Sequence, residues 1–165
     1  MTIGGLEVKG VSVGGLKASG CWVGGAKAWP TEQPAPVIED WVCFEALSAN
    51  STVAMTGSAR NLEYSLDGAQ WQYFTVGSTT VSLPNAGDKV YMKASSANSQ
   101  LDGTKFVLGG AVKVSGNMQW LLDPTGESLS AGSAAFKQLF YGCSALKDAS
   151  GLELPATNIG PSSYY

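Results

Sequence analysis

The chain has 165 residues, of which 44% are hydrophobic and 14% are charged, and its formal net charge is −3. This hydrophobic fraction is enough for a packed core, so intrinsic disorder is not expected. The sequence contains neither a run of basic residues nor an apolar stretch of roughly 18 residues, so we expect no nucleic-acid binding and no membrane insertion.

Residues 1–29 contain a repeat with a period of ten residues. Each unit opens with an aliphatic residue and two glycines, and the pairs are Gly4-Gly5, Gly14-Gly15 and Gly24-Gly25. Two glycines between apolar, alternating segments are typical of a two-residue hairpin loop, because glycine adopts the positive φ that such a loop requires. The pattern therefore predicts a small β-meander over residues 1–29.

The predicted meander is too small to bury a core alone, since isolated hairpins are only marginally stable in water. It has to pack on the next domain, on copies of itself or on a partner. Tryptophan and aliphatic side chains are the ones that such an interface would cover. The predicted interface residues are Val13, Trp22, Val23 and Trp29.

Residues 30–40 are predicted to be a linker. Three of the seven residues from Pro30 to Pro36 are proline, which favours an extended, semi-rigid conformation. We therefore expect a domain boundary in this segment.

Residues 41–122 show short strand patterns separated by turn residues. The Asp67-Gly68 pair between two alternating apolar segments is a strong hairpin signal. The predicted strands lie at 41–47, 51–56, 61–65, 70–74, 79–83, 89–94, 105–108 and 111–115. Many short strands at this spacing are typical of an immunoglobulin-like β-sandwich, so the predicted fold class is mostly β.

Residues 123–165 have a different pattern. Ala135, Phe136, Leu139 and Phe140 have helical spacing, and Gly142 is well placed to end a helix. We therefore predict a short helix over residues 133–140.

The usual catalytic groups are scarce in this sequence. The chain has no histidine, which excludes the Ser-His-Asp and Cys-His arrangements. Glu39 and Asp40 are adjacent in the predicted linker and are interpreted as a solvated pair, while Asp67 is interpreted as a turn residue. We therefore expect no enzyme activity, no catalytic residue and no cofactor.

The three cysteines are Cys21, Cys43 and Cys143, and their spacing matches no zinc motif. We expect them to be buried, reduced thiols, because free cysteine packs like a small hydrophobic residue. The sequence therefore predicts no metal site.

Aromatic residues are the best candidates for ligand recognition. Trp71, Tyr73, Tyr91 and Trp120 are candidates for a platform on which a sugar ring stacks, with Trp71 and Tyr73 as the glycan-stacking pair. The alternative, which we favour, is that Trp71 and Tyr91 are core residues or cross-strand partners.

The segment 136–165 resembles one unit of the BspA-like leucine-rich repeat. The matching positions are Leu139-Phe140-Tyr141-Gly142-Cys143, Leu146, Ala149, Leu152, Leu154-Pro155-Ala156-Thr157 and Tyr164. Ser163 departs from the pattern, which often has cysteine there. The resemblance implies an incomplete leucine-rich repeat over residues 123–165. Because single solenoid units do not bury their faces, it also implies a longer fibre-like protein or a cap.

Residues 41–122 resemble a module that precedes such repeats, with matches in the hairpin at 62–71, the strand entry at 87–91 and residues 116–123. The N-terminal segment that ends with residues 21–30 resembles N-terminal segments of phage virion proteins. The order of these parts resembles a fibre protein of tailed phages, including crAss-like phages. The resemblance implies a tail or head fibre that is made in the host cytoplasm and located in the virion. It also implies that residues 1–29 bind other virion proteins and that the distal part contacts a host receptor or glycan. A homo-oligomer is expected, and fibres of this kind are commonly trimers.

Two alternatives belong to other classes. A bacterial cell-surface adhesin with leucine-rich repeats would need an export signal, and the start Met1-Thr2-Ile3-Gly4 does not have the pattern of one. An accessory domain of a carbohydrate-processing enzyme would bind sugars through residues 41–122.

Overall fold

The computed structural model describes residues 40–164 in full and, before residue 40, the backbone of six short strands. The chain divides into two compact units, Met1–Pro36 and Val37–Tyr165. Both units are built from β-strands arranged in several sheets, so the prediction of a mostly β chain is confirmed.

In the first unit, the six strands form three antiparallel hairpins. The strands are β1 (Thr2–Ile3), β2 (Leu6–Glu7), β3 (Ser12–Val13), β4 (Leu16–Lys17), β5 (Cys21–Val23) and β6 (Ala26–Trp29). β1 pairs with β2, β3 with β4 and β5 with β6, and one Gly-Gly pair separates the two strands of each hairpin in the sequence.

The predicted hairpins are therefore present, but the prediction of one continuous meander is wrong for the described strands. These strands form three separate two-stranded sheets. A two-residue loop pairs only the two strands that flank it, so a repeat of this kind specifies hairpins without specifying how one joins the next.

The second unit contains strands at all eight positions predicted for residues 41–122. They are β7 (Val42–Ala46), β8 (Ser51–Gly57), β9 (Leu62–Ser65), β10 (Gln72–Phe74), β11 (Thr80–Leu83), β12 (Lys89–Ala94), β13 (Thr104–Gly109) and β14 (Val112–Asn117). Three more strands follow: β15 (Ser130–Ala131), β16 (Leu146–Glu153) and β17 (Asn158–Ile159).

These strands form two larger sheets and one small one. The six-stranded sheet has the order β10-β9-β12-β7-β14-β16, and the three-stranded sheet has the order β11-β8-β13. All pairings within the two larger sheets are antiparallel except that of β14 with β16, which is parallel and contains register shifts. β15 and β17 form the small parallel sheet.

The main core lies where alternating side chains of the two larger sheets meet. Val42, Phe44 and Ala46 of β7 are fully or almost fully buried, as are Val53 and Met55 of β8. Alternate residues of a strand point to opposite faces, so this pattern identifies the inner face of each strand. The two larger sheets therefore enclose a common core.

Residues 123–164 share that core. Ala131, Phe136, Leu139 and Ala156 belong to the same buried cluster as the inner faces of β7 and β8, and β16 extends the six-stranded sheet. The sequence pattern predicts a boundary at residue 122, but the segments on the two sides of it lie in one compact unit.

The short helix predicted over residues 133–140 is wrong, because this segment is a series of turns. Ala134 and Gln138 have positive φ values of 56° and 58°, which a right-handed helix does not allow. The Phe136 N–H donates to the carbonyl of Ser163, a distant residue, rather than to a carbonyl four residues back. Tertiary hydrogen bonds therefore override the helical spacing.

The one helix in the described part of the chain is a 3₁₀ turn, Met118–Leu121. The side chain of Asn117 caps it by accepting a hydrogen bond from the Gln119 N–H, and all four of its residues are buried. No helix among the described residues has the length and apolarity needed to cross a membrane.

Three segments of the second unit stack as layers, which we number 1 (residues 101–112), 2 (134–145) and 3 (161–164). N–H groups of layer 1 donate to carbonyls of layer 2, and N–H groups of layer 2 donate to carbonyls of layer 3. The bonds are Leu101 to Ala135 (2.6 Å), Phe106 to Leu139 (2.8 Å), Val112 to Ala145 (2.9 Å), Ala134 to Pro161 (2.9 Å) and Phe136 to Ser163 (2.7 Å).

Candidate functional site

The predicted interface residues lie on three strands of the first unit. Val13 is on β3, Trp22 and Val23 are on β5, and Trp29 is on β6. In the β5–β6 hairpin, Trp22 pairs with Lys27 and Trp29 pairs with Cys21, and the register shifts between Cys21 and Trp22. The side chains of these residues lie outside the described residues, so the interface prediction stays a prediction.

An aromatic cluster occupies the outer face of the six-stranded sheet in the second unit. Its members are Trp41, Trp71, Tyr91 and Trp120. The ring of Trp41 is central: its centroid lies 4.9 Å from Trp71, 6.0 Å from Tyr91 and 6.2 Å from Trp120, each in an edge-to-face arrangement. Aromatic pairs favour this geometry, so the cluster is a second, smaller core.

Two of the four proposed sugar-stacking rings are buried in this cluster. Tyr91 and Trp120 are only 9% and 7% exposed, and the indole N–H of Trp120 donates to an Asp40 carboxylate oxygen at 3.1 Å. Neither ring presents a free face to a ligand, so their contribution is packing. Asp40, interpreted from the sequence as half of a solvated pair, accepts this hydrogen bond.

Trp71 is half-buried, and a cation covers its ring. The Nζ atom of Lys93 lies 4.2 Å from the Trp71 ring centroid and 5.5 Å from that of Trp41. Lys93 is also 3.4 Å from a Glu63 carboxylate oxygen on the neighbouring strand. A sugar ring would have to displace this ammonium group to stack on the same face of Trp71.

Tyr73 lies two residues further along and is 81% exposed. It pairs with Glu63 across β9 and β10, so it lies at the edge of the same face. Trp71 and Tyr73 therefore lie on one face of the sheet. The ring of Trp71 packs against the aromatic cluster, and the ring of Tyr73 is in solvent.

Three aspartates of the second unit are held in turns by backbone N–H groups. The N–H of Gln70 and that of Ala69 lower the pKa of Asp67, the N–H of Thr125 lowers that of Asp123, and the N–H of Ser150 lowers that of Asp148. Hydrogen bonds to the ionised form favour it, which explains the direction of each shift. Asp67 is therefore a turn residue, as its position before Gly68 suggests.

The described cysteines are free thiols. Cys43 is buried and Cys143 is half-buried, and burial raises the pKa of both. A raised pKa keeps the thiol protonated at neutral pH, which disfavours nucleophilic chemistry and metal ligation. The side chain of Cys21 lies outside the described residues. Among those that are described, no group of three or more histidine, cysteine, aspartate or glutamate side chains could hold a metal ion.

The second unit also has an apolar groove, which the sequence analysis missed. Its volume is about 540 Å³, and its walls are Met118, Phe136, Gln138, Leu139, Phe140, Tyr141, Leu152, Leu154 and Tyr164. Most of these residues come from layers 2 and 3 and from the end of β16. The leucines and aromatics of the repeat-like pattern carried the signal, but the turns that gather them depend on hydrogen bonds between distant residues.

The chain was compared with models of known protein families, with curated proteins and with solved structures, and no match was found. The assignment of a function to this chain therefore depends on the geometry of its structure and on its sequence patterns.

Proposed function

We propose that this chain is a structural protein of a tailed-phage particle, the anchoring part of a tail or head fibre, and that it has no enzymatic activity. The single observation that carries the proposal is the set of three short hairpins in the first unit, which form three separate two-stranded sheets. An isolated two-stranded hairpin is marginally stable at best. Three of them in a row fit a segment that becomes stable when a protein of the particle covers it.

In this proposal, Trp22 and Trp29 are the main contacts of residues 1–29 with the particle, supported by Val13 and Val23. Tryptophan is enriched among the residues that dominate binding energy in protein interfaces. Copies of the chain associate as a homo-oligomer, with a trimer as the arrangement to test first.

The second unit serves as a spacer that carries the distal part outward. We interpret its two larger sheets as an immunoglobulin-like sandwich and its layered segment as the start of a leucine-rich repeat. Two observations support the second interpretation: β14 and β16 are parallel, and Leu146 and Leu152 pack against the main core. Tyr73 and Trp71 are the candidate contacts for a host glycan.

Immunogold electron microscopy with an antibody against the second unit tests this proposal. Label on purified phage particles is the expected result. Label on bacterial envelopes but not on particles would contradict it and would favour the adhesin alternative.

A second experiment tests the role assigned to the first unit. Deletion of residues 1–29 is expected to leave a soluble second unit that no longer enters particles. A second variant replaces Trp22 and Trp29 with alanine and keeps the glycines, so the hairpin loops are unchanged. It is also expected not to enter particles. Normal incorporation of both variants would place the anchor elsewhere.

A further inference from the structure

The sequence contains two Asp-Gly pairs, and both belong to the same tripeptide. Residues 66–68 and residues 101–103 each read Leu-Asp-Gly. An aspartate before glycine can condense with the backbone nitrogen of that glycine, because glycine has no side chain to shield the nitrogen. Since the two tripeptides are identical, any difference in reactivity between the two aspartates comes from the folded structure.

In the second tripeptide, the reacting groups are in contact. The backbone N–H of Gly103 donates to the Oδ1 atom of Asp102 at 3.0 Å, so the nitrogen lies beside the carboxyl group that it would attack. Gly103 is exposed, so a base in solvent reaches this peptide. Holding two reacting groups together removes part of the entropic barrier to their reaction.

Two cations contact the residue that would be attacked. The guanidinium of Arg60 donates to the backbone carbonyl of Asp102. This bond withdraws electron density from the peptide and makes the N–H of Gly103 more acidic. The Nζ atom of Lys137 lies 3.8 Å from Asp102 Oδ1, where it would stabilise the negative charge that develops on the carboxyl oxygens during the attack. Both side chains of this ion pair are 36% exposed, so it holds the carboxylate only weakly before the reaction.

In the first tripeptide, the same groups have other partners. The N–H of Gly68 donates to the hydroxyl oxygen of Ser65 at 2.9 Å, and Gly68 is buried. The N–H groups of Gln70 and Ala69 donate to Asp67 and lower its pKa. An ionised carboxylate is a poor electrophile. The folded structure therefore keeps both the nitrogen and the carboxyl group of this pair in unreactive states.

We propose that Asp102 is a site of spontaneous covalent modification, at which the fold promotes conversion of aspartate to isoaspartate. The Gly103 nitrogen loses its proton and forms a bond with Asp102 Cγ, and one carboxyl oxygen leaves as water, which gives a five-membered imide. Water then adds to the imide. Cleavage between the nitrogen and Cγ restores aspartate, whereas cleavage between the nitrogen and the backbone carbonyl carbon gives isoaspartate. This modification goes beyond the proposed function, which includes no covalent change.

Isoaspartate adds a methylene group to the backbone of a turn that is held on both sides. The N–H of Leu101 donates to the Ala135 carbonyl of layer 2 at 2.6 Å, and the N–H of Ser58 donates to the Gly103 carbonyl at 3.0 Å. A longer backbone between Leu101 and Gly103 moves these two bonds relative to each other. The modification therefore weakens the contact between layers 1 and 2.

Prolonged incubation of the full chain at neutral pH, followed by tryptic digestion and mass spectrometry, measures both sites. Asp102 lies in the tryptic peptide 94–105, and Asp67 lies in the peptide 61–89. In the folded chain, isoaspartate is expected to form at least about tenfold faster at Asp102 than at Asp67, because misplaced reacting groups lose a factor of this order. Unfolding in urea is expected to slow the reaction at Asp102, to speed it at Asp67 and to make the two rates nearly equal.

The Asp102→Glu variant is the control, because glutamate would have to close a six-membered ring. It is expected to show no modification in peptide 94–105 and an unchanged rate at Asp67. The melting temperature of the parent chain is expected to fall during incubation, while that of the variant stays constant.

Three results would overturn the proposal. The first is a rate at Asp102 that is equal to or lower than the rate at Asp67 in the folded chain. The second is a faster reaction at Asp102 in urea, which would mean that the fold protects this site. The third is a constant melting temperature in a parent chain that has been modified at Asp102, which would contradict the weakened contact between layers 1 and 2.

Discussion

At the scale of single residues, the aromatic cluster explains why tryptophans occur on a sheet face that would otherwise be solvated. Trp41 packs edge-on against three other rings, and Lys93 lies over the rings of Trp41 and Trp71. Lys93 is also paired with Glu63, so the ammonium group has two favourable partners. The cluster stabilises the outer face of the sheet, and Tyr73 is left as its exposed neighbour.

Replacing Trp71 or Tyr73 with alanine separates the packing role from the recognition role. Trp71→Ala is expected to lower the free energy of unfolding by about 1–3 kcal/mol, because it removes a ring that contacts Trp41. Tyr73→Ala is expected to change it by less than about 0.5 kcal/mol, because the side chain is 81% exposed. Urea denaturation measures both values, and a glycan array shows whether Tyr73 binds sugar. Equal destabilisation by the two changes would contradict the packing role assigned to Trp71.

Asp123 makes stability depend on pH in the acidic range. The N–H of Thr125 is the main cause of its lowered pKa, so the carboxyl group has a lower pKa in the folded chain than in the unfolded chain. Its stabilising contribution is complete above the unfolded pKa of about 4 and is lost as the pH falls through the folded pKa. Solvent screening limits this contribution to less than about 1 kcal/mol.

The Asp123→Asn variant is therefore expected to be less stable than the parent at pH 7 and equally stable below the folded pKa. Thermal unfolding across pH 2–7 measures the difference. A difference that grew as the pH fell would mean that the carboxylate is unfavourable in the folded state.

The role of Asp67 was predictable because it depends on near neighbours. Asp67 precedes glycine in a hairpin, and its Oδ1 atom accepts hydrogen bonds from the Ala69 and Gln70 N–H groups two and three residues away. The proximity of Lys93 to Trp71 was not predictable, because it requires the register of two strand pairings. The local hydrogen bonds of Asp67 could therefore be predicted from the sequence, whereas the membership of the aromatic cluster could not.

At the scale of elements, alternation of apolar residues and turn signals were sufficient to locate the eight strands of residues 41–117. The predicted helix failed because its spacing, read from Ala135 to Phe140, is also compatible with a series of turns. Positive φ at Ala134 and Gln138 and hydrogen bonds to layer 3 decide between the two. Such bonds join residues that are distant in the sequence, so no local pattern contains them.

Glycine at position 116 is required by the packing of β14, and a matched glycine tests this. Gly116 has a φ of 88°, and a Cβ atom there would lie 2.0 Å from the Trp41 carbonyl oxygen. Gly87 has a φ of 90°, but a Cβ atom there would contact nothing within 4 Å. Gly87→Ala is therefore expected to cost about 1–2 kcal/mol from backbone strain alone.

Gly116→Ala is expected to cost clearly more, by at least about 1 kcal/mol beyond the Gly87 variant, because a backbone carbonyl also has to move. Chemical denaturation of the two variants side by side gives the difference. Equal losses of stability in the two variants would mean that the close approach of Gly116 to Trp41 does not affect the free energy of unfolding.

At the scale of the whole molecule, the sequence indicated a boundary in the proline-rich segment but did not reveal that residues 123–164 belong to the core of the preceding strands. Burial of Phe136 and Leu139 beside the inner faces of the two larger sheets makes these segments interdependent. Nor could the sequence indicate the groove, because its walls come from four separate stretches of chain, at residues 118, 136–141, 152–154 and 164. Pattern and composition identify elements, while shared cores and cavities depend on how the elements assemble.

The second unit is expected to fold without the first. A fragment of residues 37–165 contains the main core and the aromatic cluster, so it should unfold in one cooperative transition. A fragment of residues 37–122 lacks Phe136 and Leu139, and it should melt at a lower temperature or without cooperativity. Differential scanning calorimetry compares them. An equally cooperative and equally stable shorter fragment would show that residues 123–164 are dispensable for folding.

The position of β7 in its sheet has a consequence during protein synthesis. It is the first strand of the second unit to leave the ribosome, yet both of its neighbours, β12 and β14, are translated later. Val112, the first residue of β14, follows Ala46 by 66 positions, and elongation at about 5–20 residues per second makes that interval roughly 3–13 s. During that interval Phe44 and Ala46 lack their partners on β14, so the inner face of β7 in the nascent chain stays only partly covered until β14 has emerged.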